Sequence, residues 1–184
     1  MINRLRSNLP YYASRLVHAY AVALGGYGKD HRVHIEPVLT HAEAPQSLAE
    51  LFAGRDKGVL CVSSQDSESS IYGVSGNIVF RAFHDAGHME YNLTFQHDDE
   101  VVLGNKQWLD IKGYIPAEDL RECQHLYHAD SVGMAHYADL TGGKFPADQT
   151  DLVLYVASRV STGTISLRDA TGEYVNKEHE RAHK

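Results

Sequence analysis

The longest helical pattern in this chain runs from Pro116 to Leu140, and it favours a fold built from helices. Proline suits the first turn of a helix, and Glu118 and Asp119 in that turn interact favourably with the helix dipole. Gly142 and Gly143 follow as a stop signal. Apolar residues recur at helical spacing at Leu120, Cys123, Tyr127, Met134 and Tyr137. Such a stripe needs neighbouring helices to cover it.

Other segments show the same pattern, in which apolar residues at helical spacing lie between proline, glycine or acidic residues that mark helix ends. Helices are predicted at 10–24, 45–52, 75–91, 100–111 and 146–159, and extended segments at 31–39 and 59–62. We therefore predict a mainly α fold, a single-domain helical bundle with minor extended segments. The metal-binding domain discussed below would span residues 1–160. Residues 161–184 would form a C-terminal extension, a hairpin or a partly disordered tail.

Composition narrows the range of partners. The 184 residues suit one domain, and a net charge of -7 argues against general nucleic-acid binding or binding to an anionic membrane surface. No apolar run approaches the ~20 residues of a membrane-spanning helix. Cys61 and Cys123 are far apart and lie in no C-x-x-C motif, which predicts free thiols and a cytoplasmic location.

Two of the 12 histidines stand out by their spacing. His84 and His88, in the segment HDAGH, are four residues apart. On a helix this spacing puts both rings on one face, where they can share a metal ion. Gly87 removes a side chain beside them and would leave room for an ion or a substrate. We predict that His84 and His88 are metal ligands.

Two carboxylates complete the predicted site. Glu100 lies in the first turn of the next predicted helix, and Asp130 interrupts the apolar stripe of the long helix. A carboxylate in a buried stripe must be paired, hydrogen-bonded or bound to metal, because isolated burial is costly. The predicted ligands of a divalent ion (zinc, manganese or iron) are therefore His84, His88, Glu100 and Asp130. Asp85 or Glu100 would be the catalytic base.

The long helix carries a second group of polar residues. His125, His128 and His136 project from an adjoining face, and Glu122 with His125 forms a Glu-x-x-His pair typical of di-metal helical bundles. A di-iron oxidase would need more carboxylates than the pattern provides. The same residues are equally compatible with a solvated polar face.

Two other architectures fit the HDAGH segment. In HD phosphohydrolases His84-Asp85 would be the central pair, with His34 or His41 as the first ligand and Asp130 or Asp139 as the last. FHDAGH is similar to the LLHDxGH of that family, although a serine-rich segment precedes it. In zincins the motif is H-E-x-x-H, with the glutamate as base. Here the shorter Asp85 occupies that position, and no clean third-ligand motif follows.

A set of motifs between Ser70 and Tyr155 resembles a family of uncharacterised phage and bacterial proteins. They are SIYG, NIVFRAFHDAGH, NLTF followed by Glu100, and GGKFPADQ. The resemblance implies the site residues His84, Asp85, His88, Glu100, Asp130 and Tyr137. Asp99 replaces a glycine of the pattern, Asp130 replaces a glutamate and Met134 replaces a glutamine. The family implies no activity.

These observations predict a metal-dependent enzyme, a hydrolase acting on a small-molecule substrate through a metal-activated water. One alternative is an HD-type nucleotide phosphohydrolase. Another is a non-enzymatic, phage-type binding protein with a structural metal. An open coordination position would favour an enzyme, and a closed tetrahedral site a binding protein.

Overall fold

The computed structural model describes residues 2–27 and 33–183, and it confirms the mainly α fold. The helices are α1 (Ile2–Ser7), α2 (Leu9–Tyr27), α3 (Leu48–Asp56), α4 (Gly73–Tyr91), α5 (His97–Ile111), α6 (Leu120–Asp130), α7 (Val132–Thr141), α8 (Gln149–Val160) and α9 (Leu167–Ala182). Short 3₁₀ turns lie at His41–Glu43, Ser67–Ser69 and Lys112–Tyr114. None of the helices in the described ranges is both long enough and apolar enough to cross a lipid bilayer.

The main core lies where α2 packs along α4 and where α6 packs on α8. Tyr20 and Phe83 stack at its centre with ring centroids 5.2 Å apart. The pattern predicts that α2 ends before Gly25 and Gly26, but the helix continues to Tyr27. The Tyr27 ring stacks on Phe83, and its hydroxyl donates to Asp110 of α5, so tertiary contacts outweigh the low helix propensity of glycine.

The predicted long helix is two helices, because the chain turns at Ser131 between α6 and α7. The Ser131 hydroxyl donates to the carbonyl of Tyr127 at 2.9 Å, a back-bond that often accompanies a helix bend. Gly104 of α5 lies against this junction: a Cβ there would be 2.6 Å from Val132 Cγ2. The close approach of α5 thus coincides with the break.

The prediction of a hairpin or partly disordered tail after residue 160 is wrong for residues 167–182, which form α9. Ser166 caps the helix by accepting a hydrogen bond from the backbone N–H of Asp169. Ala170 and Tyr174 are buried against the bundle. These few buried positions fix the helix although most of its residues are polar, which is why its sequence resembles a loose tail.

A two-stranded parallel sheet lies on the other side of α4. Strands β1 (His34–Val38) and β2 (Val59–Ser63) pair in register from His34 with Val59 to Val38 with Ser63, and α3 connects them. The predicted extended segment 31–39 therefore contains a strand, although residues 31 and 32 lie outside the described ranges. A small cluster of Leu51, Leu60, Val62 and Ala82 joins this unit to α4. The sheet places the end of β2 beside the helix that carries the HDAGH segment.

Candidate metal centre

His84 and His88 share one face of α4, as their spacing predicts. Their rings are nearly perpendicular, with centroids 4.8 Å apart, and the two Nε2 atoms lie 3.2 Å from each other. The side chain of His88 is fully buried and that of His84 is 20% exposed. The pair thus has one buried and one accessible edge.

Glu100 joins the pair from the first turn of α5. Its Oε2 lies 3.0 Å from His84 Nε2 and its Oε1 lies 3.3 Å from His88 Nε2. The turn between the helices is fixed by Asp99, which accepts hydrogen bonds from the backbone and hydroxyl groups of Thr94. Asp99 therefore has a local structural role at the position where the resembling family has glycine.

The tautomers of both histidines follow from their second hydrogen bonds. His88 Nδ1 lies 3.0 Å from the carbonyl oxygen of Leu93, which can only accept, so Nδ1 carries the proton. His84 Nδ1 lies 3.2 Å from Oε1 of Gln107. The Gln107 amide is oriented by its Nε2, which donates to the carbonyl of Phe83 at 2.8 Å. In the neutral form of each ring, the Nε2 lone pair therefore points toward Glu100.

Gln107 contacts His84, and the sequence analysis did not single it out. It is fully buried on the face of α5 that also carries Glu100, seven residues earlier. Gly87 permits its position, because a Cβ at Gly87 would collide with the amide nitrogen and lie 2.8 Å from its Cδ. Gly87 thus makes room for the group that orients His84, and not for an ion or a substrate as the sequence suggested.

Two imidazole lone pairs and a carboxylate converge at one point, so the centre needs a cation. Burial lowers the pKa of His84, but the nearby Glu100 carboxylate prevails and raises it to about 9. Burial opposes ionisation of Glu100, yet the two histidines hold its pKa well below its usual range. Burial lowers the pKa of His88. The raised pKa of His84 favours its charged ring, and a metal ion bound here would compete with that proton.

The donor set fits a divalent ion. Ligands bound at ~2.0–2.2 Å with angles of ~90–110° lie about 3.0–3.5 Å from one another. His84 Nε2 lies 3.2 Å from His88 Nε2 and 3.0 Å from Glu100 Oε2, and both separations fall in this range. His88 Nε2 lies 3.3 Å from the other carboxylate oxygen, Oε1, and with one oxygen from Glu100 the three donor atoms lie within 4.8 Å of one another. Two histidines and one carboxylate suit zinc and iron, and this set leaves coordination positions open in catalytic sites. Since His84 and Glu100 are about one fifth exposed, those positions are accessible to solvent.

Asp85 lies beside this centre and outside it. The side chain is half-buried, one residue after His84 and one turn after Arg81. Burial raises the pKa of Asp85 to about 6, although the charges of His84 and Arg81 lower it. Within residues 2–27 and 33–183, the group of three or more potential ligands that converges is His84, His88 and Glu100.

The ligand set of an HD phosphohydrolase is not assembled in the described part of the chain. His34 is exposed at the start of β1, and His41 Nε2 lies 3.5 Å from Asp66. Asp139 pairs with Arg168 of α9 at 2.7 Å. His84 shares its site with His88 and Glu100 rather than with these residues.

Asp130, the fourth predicted ligand, is buried at the end of α6, outside the converging group. Its Oδ2 is buried and has no hydrogen-bond partner among the described residues. Burial raises the pKa of Asp130 to about 7, although the neighbouring Tyr72 hydroxyl and the charge of Arg81 lower it. The structure thus unites three of the four predicted ligands.

We expect Asp130→Asn to change how the stability of the metal-free protein depends on pH. A carboxyl whose pKa is raised by folding destabilises the native state as pH rises from the unfolded value of 3.8 to about 7. The variant lacks this loss. The difference in the free energy of unfolding, variant minus wild type, should therefore rise by up to about 4 kcal/mol between pH 4 and pH 8. Urea unfolding at both pH values measures the difference.

The control for this comparison is Asp56→Asn, whose side chain is 69% exposed and should show little pH-dependent gain. A stability difference between wild type and Asp130→Asn that does not grow with pH would contradict the buried, destabilising carboxyl. Loss of bound metal from the folded Asp130→Asn protein would instead return Asp130 to the ligand set.

The remaining predicted polar residues are dispersed, because the break at Ser131 turns α7 away from α6. His128 Nδ1 bonds the carbonyl of Gln124 within α6, whereas His136 Nδ1 lies 2.9 Å from Nε2 of His97. Tyr137, which the family resemblance implied, donates to Glu178 of α9. These side chains do not join the group of His84, His88 and Glu100.

Comparison with known proteins identifies neither a family nor a function for this centre. No protein-family model matches the chain, and neither a curated protein nor a solved structure matches it. The similarity to the phage and bacterial family remains a prediction from the motifs. The case for function therefore depends on the centre formed by His84, His88 and Glu100.

Proposed function

We propose that this chain is a metal-dependent hydrolase whose ion is held by His84, His88 and Glu100. The observation that carries the proposal is the convergence of two oriented Nε2 lone pairs and one carboxylate at separations of 3.0–3.3 Å. Zinc is the first candidate, because two histidines and a glutamate are a known ligand set of zinc hydrolases. When bound, the ion would polarise the scissile group and lower the pKa of a water molecule.

The side chains around the ion would each have a separate task. Gln107 and the Leu93 carbonyl hold the two imidazoles in the tautomer that binds metal. Asp85 occupies the position, directly after the first histidine, at which zincins carry their glutamate base. It would take the proton from the attacking water.

The partial exposure of the centre favours an enzyme over a binding protein with a structural metal. A structural zinc site is closed by four protein ligands. Here three converge, and two of them, His84 and Glu100, are accessible to solvent. A small substrate could therefore reach an open coordination position.

The test begins with protein prepared without a histidine tag, stripped with EDTA and dialysed against micromolar zinc, manganese or iron. We expect about one ion per chain by elemental analysis, the number that a single three-ligand centre can hold. We also expect EDTA-sensitive, metal-restored cleavage in a panel of p-nitrophenyl esters, N-acyl amino acids and p-nitrophenyl phosphates. No stoichiometric metal would overturn the proposal, as would full hydrolysis by the EDTA-treated protein.

A further inference from the structure

We propose that the junction where α5, α7 and α9 meet is an acid-sensitive contact that releases the start of α9 when its two histidines are protonated. The inference goes beyond the proposed function and does not depend on it. His97 is the first residue of α5, His136 lies in α7 and Arg168 is the second residue of α9. His97 Nε2 lies 2.9 Å from His136 Nδ1 and 3.3 Å from Arg168 Nη1, so one imidazole nitrogen connects the three helices.

The hydrogen bonds of this junction require a neutral His97. Its Nδ1 lies 3.0 Å from Oδ1 of Asp98, and because a carboxylate only accepts, Nδ1 carries the ring proton. The Nε2 lone pair is then the acceptor for the Nδ1–H of His136 and for the guanidinium of Arg168. A proton on Nε2 would set a third donor against these two donors. Protonation of His97 therefore removes both hydrogen bonds by which it joins α5 to α7 and α9.

The charges around the junction act in the same direction. Arg168 is always charged, and its Nη2 donates to Oδ2 of Asp139 at 2.7 Å. His136 is buried, and burial, together with the charges of His97 and Arg168, lowers its pKa to about 4. The charge of Asp139 opposes this shift. Asp98 is fully exposed, so water screens its charge. With both histidines protonated, three cations would face Asp139, and their repulsion favours separation of the helices.

Arg168 joins the start of α9 to α5 and α7, whereas the middle of α9 is held by other contacts. Ala170 and Tyr174 are buried against the bundle, and Arg159 of α8 pairs with Glu173 at 2.7 Å. The hydrogen bonds from Arg159 hold the pKa of Glu173 below its usual value, so this ion pair keeps its charges in mild acid. Acid should therefore open the first turn of α9 without detaching the whole helix.

Hydrogen exchange measured by mass spectrometry tests this inference on the whole chain. EDTA is present throughout, so that loss of a bound metal in acid cannot contribute. A histidine whose pKa folding lowers from 6.5 to about 4 weakens its native contacts as the pH falls through this range. After correction for the intrinsic effect of pH on exchange, we expect opening at residues 134–141 and 167–173 to increase about 20-fold from pH 7 to pH 5. Residues 12–20 of α2 should not follow.

Replacing both histidines tests whether the response comes from the junction. His97→Gln with His136→Gln keeps hydrogen-bonding side chains that cannot be charged, so the opening of α9 should no longer change between the two pH values. The control His125→Gln with His128→Gln alters histidines of α6 whose pKa values burial also lowers, and it should respond as wild type does.

A third variant covers the case in which the histidine double variant does not fold. Asp139→Asn removes the carboxylate that pairs with Arg168, so the opening of α9 should move to higher pH. An unchanged pH dependence in Asp139→Asn would overturn the inference. The same holds if wild-type exchange at α9 does not depend on pH, rises equally over the whole chain, or keeps its pH dependence without the two histidines.

Discussion

Replacing His84 and His88 together with alanine is expected to abolish metal binding. The pair supplies two of the three converging ligands from one helix, and Glu100 alone is a weak site of the kind found on any acidic surface. Dialysis followed by elemental analysis should show about one ion per wild-type chain and almost none in the double variant. Hydrolytic activity should disappear with the metal.

The matched control is His125→Ala with His128→Ala, which removes two histidines from α6 without touching the centre. It should retain the ion. Because His88 is buried, its replacement by alanine also leaves a cavity, so circular dichroism should establish that the double variant is folded. If the cavity unfolds it, His84→Gln with His88→Gln is the less disruptive pair. Full metal content in a folded double variant would refute the site.

The part of the centre that depends on local spacing can be predicted from the sequence. His84 and His88 are brought together by the helix itself, so their pairing needs no knowledge of the tertiary fold. Glu100 lies beside the pair, as the predicted ligand set requires, because a short turn joins α4 to α5 and few arrangements of two adjacent helices are available. Gln107 was missed, since its role depends on a close approach between helices that Gly87 permits.

The sequence was a poorer guide wherever the outcome depended on distant contacts. Apolar spacing continues through Ser131, so the break between α6 and α7 is invisible without the packing of Gly104 against it. Asp130 was correctly expected to be buried, but burial alone does not say what the carboxylate faces. The polar sequence of α9 did not indicate a helix because few of its described residues are buried, namely Ala170, Thr171, Tyr174 and Val175.

Replacing Asp85 with asparagine is expected to leave the metal in place and to lower turnover by about 100- to 10,000-fold, the usual contribution of a general base. Neighbours on a helix point about 100° apart, so with His84 directed at the ion Asp85 borders the site without being a ligand. Asparagine keeps the shape of the side chain and cannot accept the proton. The measurements are metal stoichiometry, the metal dissociation constant and the kcat of Asp85→Asn beside those of wild type.

Two further variants separate a base from a residue that merely supports the fold. Asp85→Glu restores a carboxylate of the length found in zincins and should recover much of the lost kcat, whereas a structural role would not be rescued by a longer side chain in a half-buried position. Glu90→Gln, at an exposed position of the same helix, should behave as wild type. The decisive comparison is between the metal content and the kcat of each variant. Complete loss of the ion from a folded Asp85→Asn protein would make Asp85 a direct ligand, and the HD phosphohydrolase architecture would then explain the site better than a zincin-like one.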